Sequence, residues 1–166
     1  MNIRAETSAD HGSIRTLNRI AFGGEYEAAL IERLRAEELI RASLVAIDDE
    51  QLIGHILFSA ISVIVDGWGV RAAALAPMAV TPKRQRQGVG SALVRTGLDQ
   101  LAAQGFEAVI VLGHPAYYPR FGFSPATVNK LEAPYSGEAF MALELTADAL
   151  AGMSGTVTYP DAFDPD

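Results

Sequence analysis

The feature that most restricts how this chain can fold is an apolar run, Ala72 to Val80, that empties through a cationic, glycine-bearing turn into a helical pattern. The turn reads Val80-Thr-Pro-Lys-Arg-Gln-Arg-Gln-Gly-Val-Gly-Ser91. The apolar run is short enough for a strand, and from Ser91 to Ala103 the residues Leu93, Val94, Leu98 and Leu101 recur at helical spacing. Such a turn opens onto a helix N-terminus. There the first N–H groups lack intrahelical acceptors and the macrodipole is positive, so an anion is favoured by geometry and by charge. Gly88 and Gly90 let backbone and ligand approach with no Cβ between them.

Charge adds to this reading. The chain of 166 residues carries a net charge of -7, yet Lys83, Arg84 and Arg86 fall within four positions. Three clustered cations suit a solvated face as well as a ligand site, and the glycines at the helix start shift the balance towards anion binding. The acidic whole excludes broad binding to nucleic acid or to anionic membranes, which needs a basic face to neutralise phosphates. An apolar fraction of 49% is ample for a core and rules out collagen-like and disordered classes. The length suggests one domain over residues 1–166, with 146–166 as an irregular C-terminal cover. With no cysteine there is neither a disulfide framework nor a thiolate site, and three scattered histidines argue against a metal cluster. The start Met1-Asn-Ile-Arg-Ala-Glu lacks the apolar core of a signal peptide, and no run is apolar enough to span a bilayer, so the expected compartment is the cytoplasm.

Periodicity predicts a strand over 2–6, then a helix capped by Ser8 with Ile14, Leu17 and Ile20 inward, stopped at Gly23-Gly24. A second amphipathic helix is expected from Glu25 to Leu39. An antiparallel meander follows: strands over 43–47, 52–60, 61–65 and 70–80, with turns at Asp48-Asp49-Glu50 and Asp66-Gly67. After the 91–104 helix come strands at Ala108 to Leu112 and Phe140 to Leu145. Pro77 removes a donor inside an apparent strand, which predicts an interrupted ladder and a slot beside it.

Two other phosphate-binding turns fail on the letters. A P-loop ends in Gly-Lys-Ser/Thr, whereas Gly90 is followed by Ser91-Ala92; a dinucleotide-binding turn wants a third glycine where Leu93 stands. The Gln85-x-x-Gly88-x-Gly90 turn after a Val-x-Pro strand end resembles the acetyl-CoA pyrophosphate loop of the GCN5-related N-acetyltransferases. The segment Gly113-His-Pro-Ala-Tyr-Tyr-Pro-Arg-Phe-Gly-Phe123 is similar to that family's tyrosine-to-Gly-Phe segment, especially in its small YhbS-like predicted acetyltransferases.

The resemblance implies an α+β acyl-CoA N-acyltransferase fold: a mixed, largely antiparallel sheet splayed at its fourth strand and flanked by helices. It implies acetyl transfer from acetyl-CoA to an unidentified primary amine, by a monomer or homodimer with no nucleic-acid or membrane partner. Main chain at Met78, Ala79 and Val80 would pair with pantetheine, and the Met78 N–H would hold the oxyanion. Gln85, Arg86, Gln87, Gly88, Val89, Gly90 and Ser91 would cup the pyrophosphate, with Arg84 or Lys83 either reaching the ribose phosphate or solvated. Tyr118, four residues before Gly122, stands where the family places its general acid. The Ala72–Val80 run has no carboxylate, so the base falls to His114, to Glu25 at the second helix start, or to water. Gly113-His114-Pro115 replaces the family's asparagine. A reading from another class is a CoA-binding sensor without turnover.

Overall fold

The computed structural model describes residues 1–164. The strands in chain order are β1 (Asn2–Ala5), β2 (Ile40–Asp48), β3 (Gln51–Ala60), β4 (Ser62–Val65), β5 (Trp68–Val70), β6 (Ala72–Val80), β7 (Ala108–Leu112), β8 (Leu131–Glu132), β9 (Phe140–Glu144) and β10 (Gly155–Thr158). The helices are α1 (His11–Phe22), α2 (Tyr26–Ala36) and α3 (Val89–Ala103). They form two units, Met1–Ser59 with Ala76–Gln100, and Ala60–Leu75 with residue 101 onward. Strand β6 and helix α3 each pass from one into the other.

In the first unit β1 pairs antiparallel with β2, and β2 with β3. Asp49 and Glu50 form the two-residue connection of the second pair at φ of 51° and 62°. Positive φ at both positions matches the twist of a tight hairpin. Helix α1 buries Ile14 and Leu17, and α2 buries Ala28, Leu30, Ile31 and Leu34. The expected inward Ile20 is 59% exposed, and Asn18 completes the buried stripe instead. At 100° per residue, position 18 lies nearer the line of 14 and 17 than position 20 does. Nor is Ser8 the cap. Thr7 precedes the first turn, and the Asp10 carboxylate accepts the Thr7 N–H at 2.7 Å while also taking Arg4 at 2.7 Å.

Strand β6 is the hydrogen-bonded neighbour of β3, and the Thr81 N–H extends the contact to the Ile53 carbonyl at 2.8 Å. Helix α3 lies close on β3 because glycines leave room. A Cβ on Gly54 would stand 2.9 Å from Val89 Cγ1 and 3.0 Å from Leu93 Cδ1, and one on Gly97 would enter the ring of Phe58.

The second unit contains two ladders. The N-terminal part of β6 runs parallel to β7, from Ala72 opposite Ala108 to Leu75 opposite Val111, and β9 flanks β7 antiparallel. The β6–β7 register stops just before Pro77, where the missing N–H predicts an interruption. Four of the five β7 residues are buried, as for a strand covered on both faces. A separate four-stranded sheet has the order β5-β4-β10-β8. Its inward residues Val63, Val65 and Val157 pack with Ile110, Phe140 and Ala142.

Two expectations are corrected here. The predicted 70–80 strand is broken at Arg71, so that Val70 pairs with Val63 in the small sheet while Ala72 starts β6. Arg71 is fixed at that break by both main-chain groups: its N–H donates to Glu107 Oε1 at 3.0 Å, and its carbonyl accepts the Glu107 N–H at 2.6 Å. Residues 146–166 are not wholly irregular, because Gly155–Thr158 inserts between β4 and β8. The last two residues of that expected cover lie outside the described ones.

Candidate active site

Strand β6 brings Met78, Ala79 and Val80 to its C-terminal end, with Ala79 buried and its two neighbours half-buried. A short 3-10 turn, Pro82–Arg84, follows at once. The Gln85 side chain folds back and donates to the Val80 carbonyl at 3.0 Å. That carbonyl thus has a partner from its own loop, a contact absent from the sequence reading. Gln87 donates to the Lys83 carbonyl at 3.1 Å and accepts from Arg84 Nε at 3.1 Å, so the loop is braced from within. Arg86 and Gly88 take positive φ, 62° and 87°. A Cβ on Gly88 would meet nothing within 4 Å, so the backbone there faces open space. The Ala92 N–H closes the first helical turn on the Gly88 carbonyl at 3.0 Å, and the amides of Gly88, Val89 and Gly90 precede it. Val89 anchors this end of α3, only 3% exposed in the space left by Gly54.

The cations of the turn are not equivalent. Arg84 Nη2 lies 2.8 Å from Asp48 Oδ2, and Asp48 also receives the N-terminal ammonium at 3.4 Å. The Arg84 hydrogen bond, with the N-terminal charge beside it, lowers the Asp48 carboxyl below its ordinary range. Arg84, expected either to reach the ribose phosphate or to be solvated, is thus ion-paired, and Asp48, expected to be a solvated turn residue, is its tether. Lys83 remains exposed.

Glu25 stands in the same unit, just before α2. Its carboxylate accepts Arg19 Nε at 2.6 Å, while its side chain stays 70% exposed. In the second unit the chain leaving β7 turns at His114, whose carbonyl accepts the amides of Tyr117 at 3.0 Å and Tyr118 at 3.3 Å. The His114 side chain is exposed. Tyr118 opens a 3-10 turn that ends at Gly122 with φ of 101°. Its ring is 7% exposed, edge-on to Tyr117 at 5.1 Å and to Phe123 at 5.7 Å. Burial, reinforced by the neighbouring Tyr117, pushes its phenol up to about 12.

Gly113 explains how that ring fits: a Cβ there would enter the Tyr118 ring. A glycine at 113 is therefore a space requirement. The signal in the sequence is only a glycine five residues before a tyrosine, which does not announce a contact.

The first unit thus carries a strand that ends in a braced glycine turn on a helix N-terminus, and the second a buried tyrosine ahead of a Gly-Phe step. A family model described as an acetyltransferase (GNAT) domain matches residues 2–126. The chain belongs to the GNAT family. It is 40% identical over 166 residues to the uncharacterized N-acetyltransferase YhbS of Escherichia coli strain K12, covering 98% of each chain. The crystal structure of E. coli YhbS in complex with CoA matches with a TM-score of 0.89 over 98% of this chain and 91% of that one. A GNAT acetyltransferase of Brucella melitensis in complex with acetyl-CoA matches at 34% identity with a TM-score of 0.80, over 98% and 97% of the two chains. As a GNAT acyltransferase the chain has the α+β fold of that family, a mixed sheet with flanking helices. Among the described residues no helix is long and apolar enough to cross a membrane.

Proposed function

We propose that this chain moves the acetyl group of acetyl-CoA to a primary amine of a small molecule, peptide or protein, by direct attack in a ternary complex. The observation that carries this reading is the open, positive-φ Gly88 turn at the N-terminus of α3, in a chain similar to relatives crystallised with CoA and acetyl-CoA. Amides of Arg86 to Ser91 hold the pyrophosphate, and the free edge of Met78, Ala79 and Val80 serves the pantetheine amides. The Val80 contribution is its N–H, since Gln85 occupies the carbonyl. Charge-assisted hydrogen bonds of roughly 1.5 to 3 kcal/mol each, less the ordering and desolvation costs, are enough for micromolar affinity.

The amine nitrogen attacks the thioester carbonyl, with the Met78 N–H on the developing oxyanion. The C–N bond forms, the C–S bond breaks, and the thiolate takes a proton from Tyr118. Burial supports this role because it keeps the phenol protonated throughout the neutral range. The amine sheds its own proton through His114, Glu25 or water, and solvent restores the phenol. Residues 1–166 work as one catalytic domain, in the cytoplasm, as a monomer or homodimer. Initial rates with both substrates varied test the order of events: intersecting double-reciprocal lines are expected, and parallel lines would replace direct attack with an acyl-enzyme.

A further inference from the structure

The second unit holds a cavity of about 280 Å³ between residues 125–131 and 135–140. Apart from Pro125 the lining lies beyond the 2–126 stretch matched by the family model, so the common cofactor site does not account for it. Its buried wall is apolar, with Val128, Leu131 and Phe140 1%, 9% and 3% exposed, while Asn129 and Ser136 are the exposed neutral polar residues of the lining. Tyr135, also in the lining, presents a ring that is 38% exposed. That ring is nonetheless held in place, edge-on to Tyr159 at 5.3 Å and tilted on Phe140 at 6.1 Å, while Tyr159 is itself edge-on to Phe163 at 5.1 Å. Tyr159 and Phe163, which follow β10, thereby brace that ring.

The rim is shaped by Gly137, at φ of 94°, whose carbonyl accepts the Phe140 N–H at 3.2 Å. This turn delivers Glu138, the one charged residue in the lining among the described residues. Lys130 and Glu132 flank Leu131 outside the lining, exposed and opposite in sign, so they do not reverse the charge at the mouth. The size is just below that of ordinary ligand pockets, which start at about 300 Å³, and suits only a small ligand. An apolar pocket with an aromatic ring and one carboxylate at its edge is complementary to a small organic cation: the body is desolvated inside while the positive end meets the ring and the carboxylate.

We propose that this cavity is a binding site for a small primary ammonium ion bearing an aromatic or branched apolar group, held by Tyr135 and Glu138. The site goes beyond the acetyl-CoA turn and is tested without cofactor. Ligand-observed NMR titration of the full chain with 2-phenylethylammonium chloride should give saturable binding, with neutral 2-phenylethanol roughly tenfold weaker. Glu138→Gln should cut that preference several-fold while keeping weak binding of both probes. Tyr135→Ala should weaken the ammonium by about tenfold, and Tyr135→Phe should restore it, because the ring carries the contact. Thermal unfolding and CoA affinity of each variant separate a lost site from a lost fold. Equal affinity for the two probes in the unaltered protein, or an ammonium affinity indifferent to Glu138→Gln, would overturn the proposal and leave the acetyltransferase reading untouched.

Discussion

A Cβ on Gly113 would occupy the space taken by the ring of Tyr118, so the orientation of that phenol depends on a residue with no chemistry of its own. Gly113→Ala is expected to displace the ring and to lower turnover while leaving affinity for CoA near its starting value. Tyr118→Phe keeps the ring packing with Tyr117 and Phe123 and removes only the hydroxyl. Turnover should fall by about a hundredfold or more, the usual worth of a general acid, with cofactor affinity held. Steady-state rates beside equilibrium CoA titrations check both variants. An unchanged rate for Tyr118→Phe would assign the donor role to another group. Tyr118 is legible as a candidate because its spacing to Gly122 is part of a pattern, whereas Gly113 matters through a contact that no spacing reveals.

At the level of elements, the passage from β6 into α3 joins a fixed floor to an exposed lip. The floor is the approach of Val89 and Leu93 to Gly54, and the lip is Arg86 to Gly88, with positive φ at Arg86 and at Gly88. A bulky residue at Gly88 would meet no protein atom but would project into the space assigned to pyrophosphate, and it would take on left-handed backbone strain of about 1 to 2 kcal/mol. The prediction is a loss of CoA affinity of about tenfold or more, with the helix and the fold retained by circular dichroism. The existence of this strand, turn and helix can be read from the sequence because apolar run, glycines and helical period all agree. The break at Arg71 cannot, since residues on both sides of it are apolar and only the bonds to Glu107 divide them between sheets. The β10 strand is similarly hidden: Gly155-Thr-Val-Thr158 is short, and its pairing with β4 is far away in sequence. The tether from Asp48 to Arg84 is hidden for the same reason, because two charges in separate turns look solvated until the hairpin places them 2.8 Å apart.

For the molecule as a whole, acid stability has a definite sign. His55 is fully buried, with Nε2 2.9 Å from Ser43 Oγ and Nδ1 without a hydrogen-bond partner among the described residues. Burial lowers its pKa from 6.5 to about 4. The unfolded chain therefore takes up a proton there before the folded one does, and stability falls as pH drops from 6.5 towards 4, then levels for this group. The loss is about 3 kcal/mol. Glu6 and Asp10 act in the same direction at lower pH. Burial alone would raise Glu6, but hydrogen bonds to Ser43 and Arg35 outweigh it; for Asp10 the bond from Arg4 dominates and holds the carboxyl well down. Urea unfolding at a series of pH values should show a plateau above 6.5, and His55→Gln should flatten the decline between 6.5 and 4. A decline that survives this substitution unchanged would move its origin to the carboxylates.

Acceptor-dependent release of free thiol from acetyl-CoA, followed across a panel of primary amines with the unaltered protein, tests the central claim most directly. The acetyltransferase reading predicts thiol release that rises and saturates with at least one amine, in step with N-acetylated product. Tight binding of acetyl-CoA with no amine-dependent thiol above the hydrolytic background would contradict it and leave a cofactor-binding protein without turnover.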